Sequence, residues 1–161
     1  MPTYSKASLA KLATCDPRLQ EICHEVIKHW DHTVLYGHRI KEQQDAAVAA
    51  GNSKTPWPHS PHNKYPSLAV DLAPYYANIP GGVDWRTDKE LFDAIKDRNI
   101  TEGLDVLENI KRWMAFTGFV RGIAAAKGIN IRVGADWDGD QKFNDQMFVD
   151  LPHVELIIQG D

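Results

Sequence analysis

An α+β domain is the fold class this sequence predicts, and three observations predict it. Segments of helical period and segments of strand-like alternation are interspersed, without the regular βαβ order that builds a parallel sheet. The longest periodic stretch, residues 101–127, repeats apolar side chains at three- and four-residue steps. Two C-terminal stretches, 129–133 and 154–158, alternate apolar and polar residues instead. With 161 residues, 43% hydrophobic and 25% charged, the chain is long and apolar enough for one cored domain, which excludes wholesale disorder.

Taken in order, Asp16-Pro17 has the form of a helix N-cap followed by proline in the first turn. Leu19, Ile22, Cys23, Val26, Ile27 and Trp30 then make one apolar face. Cys15 and Cys23, the only two cysteines, are expected in this one helix as reduced, packed thiols. Without CxxC spacing they give no disulfide framework and no zinc ribbon. His24, His29 and His32 have no partner at ligand spacing and are expected at the surface or as caps. Residues 33–36 are β-prone and stop at Gly37, and a helix over 41–50 closes at Gly51. Residues 56–66 are too proline-rich for a helix or an interior strand and form a loop. Residues 67–73 alternate as a strand, Pro80-Gly81-Gly82 marks a loop, and Leu91, Phe92 and Ile95 mark a short helix. In the long helix Leu104, Leu107, Ile110, Trp113, Met114, Thr117, Val120 and Ala124 are expected on one stripe, with Gly128 as the C-cap.

Several function classes are excluded early. No apolar run approaches the ~20 residues of a membrane span. Met1 to Lys6 lack the apolar core of a secretory signal. A net charge of −4 argues against a nucleic-acid partner, which would call for a basic face. Histidine is the one unusual count: seven, about twice ordinary usage.

Chemistry enters with two strands. In the first, Leu68, Val70 and Leu72 point to one face and Ala69, Asp71 and Ala73 to the other. One carboxylate between two alanines leaves room for something bulky and charged. In the last strand Val154, Leu156 and Ile158 form an apolar face, while His153 and Glu155 share the opposite one. Alternation alone is equally satisfied by solvent exposure of both polar faces or by their meeting across a sheet. A catalytic zinc takes three protein ligands and keeps an open position. The proline-rich loop offers His59 and His62 as a third ligand, and chemistry alone does not choose between them.

The segment Ser60-Pro61-His62-Asn63-Lys64-Tyr65-Pro66-Ser67-Leu68-Ala69-Val70-Asp71-Leu72 resembles the Ser-x-His…Ala-x-Asp motif of zinc-dependent peptidoglycan peptidases. That family includes D-Ala-D-Ala carboxypeptidases and dipeptidases and the phage L-alanyl-D-glutamate endopeptidase endolysins. Asp150-Leu151-Pro152-His153 resembles its [Asp/Glu]-x-x-His motif, and Gly37-His38-Arg39 with Gln43 its Gly-x-Arg…Gln segment. Gly134-Ala135-Asp136-Trp137 is similar to the Gly-x-Asp-Trp segment of the endolysin branch. The matches keep the family's order from Gly37 to Leu156. There is one departure: two residues are inserted around positions 64–66, as in the His-Asn-x-x-Pro-Ser form of this loop among phage-type members.

The resemblance implies a Hedgehog/DD-peptidase-type domain over residues 1–161, a small antiparallel sheet packed with helices, and no separate cell-wall-binding module. It implies one catalytic zinc on His62, Asp71 and His153, against His59. It implies Asp150 as general base, one methylene shorter than the Glu of many members. It implies Arg39 as a second positive group for substrate carboxylate or oxyanion, Ser60 as a substrate-side or ligand-supporting hydroxyl, and Trp137 at the site's mouth. The partner implied is the peptidoglycan stem peptide. The small size and missing signal point to a monomeric phage endolysin, held in the host cytoplasm until a holin admits it to the wall. The rival readings are a D-Ala-D-Ala carboxypeptidase and a non-catalytic, zinc-stabilised wall-binding module, the latter disfavoured by Asp150. Separately, Asp136, Asp138, Asp140, Asn144 and Asp145 cluster oxygen donors as calcium loops do. The loop lacks the glycine and glutamate of an EF-hand, so calcium on Asp136, Asp138 and Asp140 is a subsidiary expectation.

Overall fold

The computed structural model describes residues 1–143, 145 and 148–158. In chain order it contains α1 (Lys6–Leu12), α2 (Pro17–Val26), β1 (His32–Tyr36), α3 (Lys41–Ala49), a 3-10 turn (Pro61–Asn63), β2 (Ala69–Pro74), α4 (Asp88–Lys96), α5 (Ile100–Ala126), β3 (Ile131–Val133) and β4 (His153–Leu156). The strands form one antiparallel sheet in the order β1-β2-β4-β3. The expected α+β architecture is the one observed.

Alternation sorts the two faces of the sheet. Val34, Val70, Leu72, Val133, Val154 and Leu156 turn to one side and pack with Leu19, Ile22 and Val26 of α2 and Phe116, Val120 and Ala124 of α5. The other face carries Asp71, His153 and Glu155, all buried. Caps set the helix starts: the Asp16 carboxylate accepts from Arg18 N at 2.9 Å, and Asn99 Oδ1 accepts from Glu102 N at 3.2 Å.

The structure corrects four local expectations. Helix α1 was not foreseen; its two turns are too short to set a period, and its place is against β1, where Ser8 Oγ accepts from Val34 N at 3.3 Å. Cys15 lies outside α2, in the turn that Asp16-Pro17 restarts, although both cysteines are free and buried as expected. His32 is not a surface residue: it is 3% exposed in β1, held by Tyr4 Oη and, through Nδ1, by the Trp30 carbonyl at 2.9 Å. On α5, Leu104 faces out while Val106 and Asn109 are buried. The cause is polar: Asn109 Nδ2 donates to the carbonyls of Asp84 and Arg86, and Trp113 Nε1 donates to that of Asp84, so this face of the helix grips a loop.

Candidate metal centre

The register of the sheet makes the site. Asp71 of β2 lies directly opposite His153 of β4, and on its other side opposite Tyr36 of β1. An irregularity between Val34 and Tyr36 gives β1 its extra residue there, the sort of bulge that re-aims side chains beside active sites. Ala69 and Ala73, both fully buried, leave space on either side of the carboxylate.

His62 comes from the proline-rich loop. Ser60 Oγ accepts from His62 N at 3.3 Å and Asn63 Oδ1 accepts from Ser60 N at 3.2 Å, which together fix the 3-10 turn. The His62 ring donates through Nδ1 to the Gly37 carbonyl at 2.7 Å, leaving Nε2 for the site. Gly37 has to be glycine for steric reasons. A Cβ there would sit 2.4 Å from both Lys11 O and Thr14 Oγ1.

His153 is oriented in the reverse sense. Its Nε2 donates to Glu155 Oε2 at 2.8 Å, and Arg132 Nε donates to Glu155 Oε1 at 2.7 Å, so Nδ1 is the atom turned to Asp71 and His62. The three inward atoms form a nearly equilateral triangle. His62 Nε2 to Asp71 Oδ1 is 3.1 Å, His62 Nε2 to His153 Nδ1 is 3.2 Å, and His153 Nδ1 to Asp71 Oδ1 is 3.3 Å. Tetrahedral zinc with bonds of about 2.0–2.1 Å has ligand–ligand edges of about 3.3–3.4 Å. The donor set and its spacing therefore fit that ion. All three residues are at most 5% exposed.

Electrostatics agree with a site built for a cation. Burial opposes ionisation of Asp71, yet the imidazoles of His62 and His153 hold its carboxyl well below the usual range. Burial likewise opposes a charge on His153, but hydrogen bonds to Asp71 and Glu155 push its pKa up to about 9.

Asp150 is held at the rim by a tight turn. Its N donates to Gly134 O at 2.9 Å, and its carbonyl accepts from His153 N at 3.1 Å. Gly134 has no room for a side chain: a Cβ would lie 2.3 Å from Asp150 O. Burial, followed by the Asp71 charge, pushes the Asp150 carboxyl up to about 6. Arg39 is buried, donates through Nη2 to Asp71 Oδ2, and stacks on Tyr36 at 4.7 Å from the ring centroid. Trp137 tilts against the His153 ring at 5.2 Å and donates through Nε1 to Phe148 O at 2.6 Å.

A cleft of about 570 Å³ opens over the cluster, lined by Arg39, Ser60, His62, Trp137, Asp150 and His153. Arg39, Ser60, Trp137 and Asp150 are thus gathered around the triangle of His62, Asp71 and His153, while the exposed His59 also lines the cleft but lies outside the triangle. Sequence reasoning missed the parts played by Glu155, Arg132 and the Gly37 carbonyl. The shared face of His153 and Glu155 was a signal for the first. Asp136, Asp138 and Asp140 do converge within 4.8 Å, and Asn144 lies outside the described residues. Arg121 donates to Asp136 at 2.9 Å and Lys142 to Asp140 at 2.6 Å, so protein cations already serve this loop and calcium gains no support.

A family model described as phage L-alanyl-D-glutamate peptidase matches residues 2–113. The chain is 29% identical over 159 residues to the L-alanyl-D-glutamate peptidase of Escherichia phage T5, covering 96% of this chain and 97% of that protein. Its fold is similar to the crystal structure of the Serratia marcescens L-Ala D-Glu endopeptidase ChiX, with a TM-score of 0.60, 21% identity, and coverage of 96% of this chain and 89% of that one.

Proposed function

The chain belongs to the phage L-alanyl-D-glutamate peptidase family, and from that premise we propose that it is a zinc-dependent endolysin cleaving the L-alanyl-D-glutamate amide of the peptidoglycan stem. The observation that carries the metal reading is the triangle formed by His62 Nε2, Asp71 Oδ1 and His153 Nδ1. Three protein ligands under an open cleft are the pattern of a catalytic rather than a structural zinc. Zinc held there would supply a Lewis acid that acidifies water and polarises the scissile carbonyl.

The protein's own groups do the rest. Asp150, at the rim of the cleft, takes the proton of the attacking water on its carboxylate and passes it to the leaving amine. In the metal-free protein, burial and the Asp71 charge already raise this carboxyl above a free aspartate, so it takes up a proton more readily. Arg39 braces Asp71 and places positive charge where the oxyanion develops. Ser60 sets the His62 turn, and Trp137 walls the cleft and shelters the His153 ring from water. Glu155 fixes which nitrogen of His153 faces the metal. As a lysis enzyme it would be made inside the host and reach the wall once a holin opens the membrane. Among the described residues no helix is long and apolar enough to cross a membrane.

Digestion of purified peptidoglycan, with and without a chelator, tests this reading by mass spectrometry of the products. New amino termini on D-Glu, lost on chelation, are the expected result. Release of terminal D-Ala would assign a carboxypeptidase instead. Zinc bound with no cleavage would make the domain a binding module.

A further inference from the structure

Two further cavities adjoin the cleft, each sharing different residues with it. The first, about 530 Å³, shares Arg132, Trp137 and Glu155 with the cleft and is also lined by Lys64 and Arg121. The other, about 380 Å³, shares Arg39, Phe148 and Asp150 with the cleft and is walled by Tyr36 and Trp85. A stem peptide lying across the metal centre has these two cavities available for its acyl side and its amine side.

The two ends of the substrate differ in charge. In an L-alanyl-D-glutamate linkage continued through the γ-carboxyl, the α-carboxylate of D-Glu stays free, on the carbon that bears the scissile nitrogen. That carboxylate therefore sits within a few bonds of the reacting atoms and needs a donor at the rim of the cluster. On the acyl side L-Ala leads to the glycan, whose rings suit aromatic faces; Trp85 is 55% exposed beside Tyr36.

Donors at the rim can be sorted by what they already hold. Arg39 is only 8% exposed: Nη2 goes to Asp71, the guanidinium lies over the Tyr36 ring, and Nε is buried without a partner, so it is too covered to meet a carboxylate at the rim. Lys54 lies over the Phe148 ring. Arg121 is paired with Asp136 and does not line the cleft itself. Arg132 is paired too, through Nε and Nη2 to Glu155 Oε1 and over the Trp137 ring at 5.8 Å, but its side chain is 48% exposed and lines both the cleft and the neighbouring cavity. Its Nη1 has no partner among the described residues. It stands directly opposite Glu155 in the β3–β4 pairing, and Glu155 holds it in place while also orienting His153. Lys64, exposed in the cavity that Arg132 also lines, has no ion pair among the described residues.

We infer that Arg132, with Lys64 beyond it, reads the free α-carboxylate of D-Glu and so fixes the direction in which the stem peptide lies across the site. This rests on the peptidase reading above and adds a specificity-determining residue to it. A guanidinium already anchored on one edge loses little freedom in binding a carboxylate on the other. The same contact would penalise a stem whose D-Glu is amidated to D-isoglutamine, because the carboxamide offers no charge to the fork.

The test compares two soluble stem peptides, identical except for a free α-carboxyl or an α-carboxamide on D-Glu, with the zinc-loaded full chain. Wild type is expected to favour the carboxylate in kcat/KM by about tenfold or more. Arg132→Gln should erase most of that preference through KM on the carboxylate peptide, with rates on both peptides taken per bound zinc because Arg132 also supports the Glu155–His153 pair. Lys64→Gln should reduce the preference in the same sense by about threefold, and decides the matter if Arg132→Gln does not fold. Equal wild-type cleavage of both peptides would overturn the inference, as would a proportional loss on both in Arg132→Gln or an unchanged preference in Lys64→Gln. Failure of wild type on both peptides would instead bring down the peptidase reading itself.

Discussion

Asp71 and His153 are direct partners across β2 and β4, with Asp71 Oδ1 at 3.3 Å from His153 Nδ1. A slip of one residue in either strand would send one of them into the apolar face, so register and metal site are specified together. On its other edge β4 pairs with β3, which sets Glu155 directly opposite Arg132. Ligand and supporting carboxylate are thus delivered by one short strand.

Glu155→Gln keeps an acceptor for His153 Nε2 but removes the charge. Zinc affinity should weaken by about 10- to 100-fold, with the folded state retained. Competition against a chromophoric chelator measures it. Unchanged affinity would show that Glu155 does not act on the metal through His153.

Asp150→Asn separates binding from chemistry. The variant should retain zinc while kcat falls by about 10²–10⁴. It should also stabilise the metal-free protein, with a definite sign in pH. The Asp150 carboxyl is raised from 3.8 to about 6, so the native state holds its proton more tightly than the unfolded chain. Its ionisation therefore costs stability as pH rises through that window. Thermal melts of chelated protein should favour Asp150→Asn by about 1–2 kcal/mol at pH 7.5, after solvent screening is allowed for, with little difference at pH 4.

The two glycines of close approach should not tolerate alanine. Gly37→Ala would drive a methyl into the Lys11 carbonyl and displace the carbonyl that orients His62. Gly134→Ala would push on Asp150 and on His153 Cβ, 3.0 Å away. Each should cost about 1–3 kcal/mol in chemical denaturation. Gly37→Ala should also weaken zinc binding, whereas Gly134→Ala should chiefly lower kcat.

What the sequence disclosed follows the range of its signals. Alternation is local, and it placed Asp71 opposite to Val70 and Leu72 and put His153 and Glu155 on one face. Whether those polar faces met or dissolved in water was a question of strand pairing between residues 82 apart, which no local pattern encodes. His62 was separable from His59 only through the family resemblance, because the distinguishing contact is a backbone carbonyl at Gly37. Arg132 carried no signal at all; its place depends on a register between two strands of three and four residues. Leu104 misled because apolarity was counted without the polar grip of Asn109 on the Asp84 loop.

The most direct test of the central claim is to strip the protein of metal and titrate zinc back, following bound zinc per chain and cleavage of an L-alanyl-D-glutamate stem peptide together. Activity should return in step with a single equivalent of zinc in the wild type, and Asp71→Ala should recover neither. Cleavage that survives stripping, or an Asp71→Ala variant that binds zinc and cleaves like the wild type, would contradict the account.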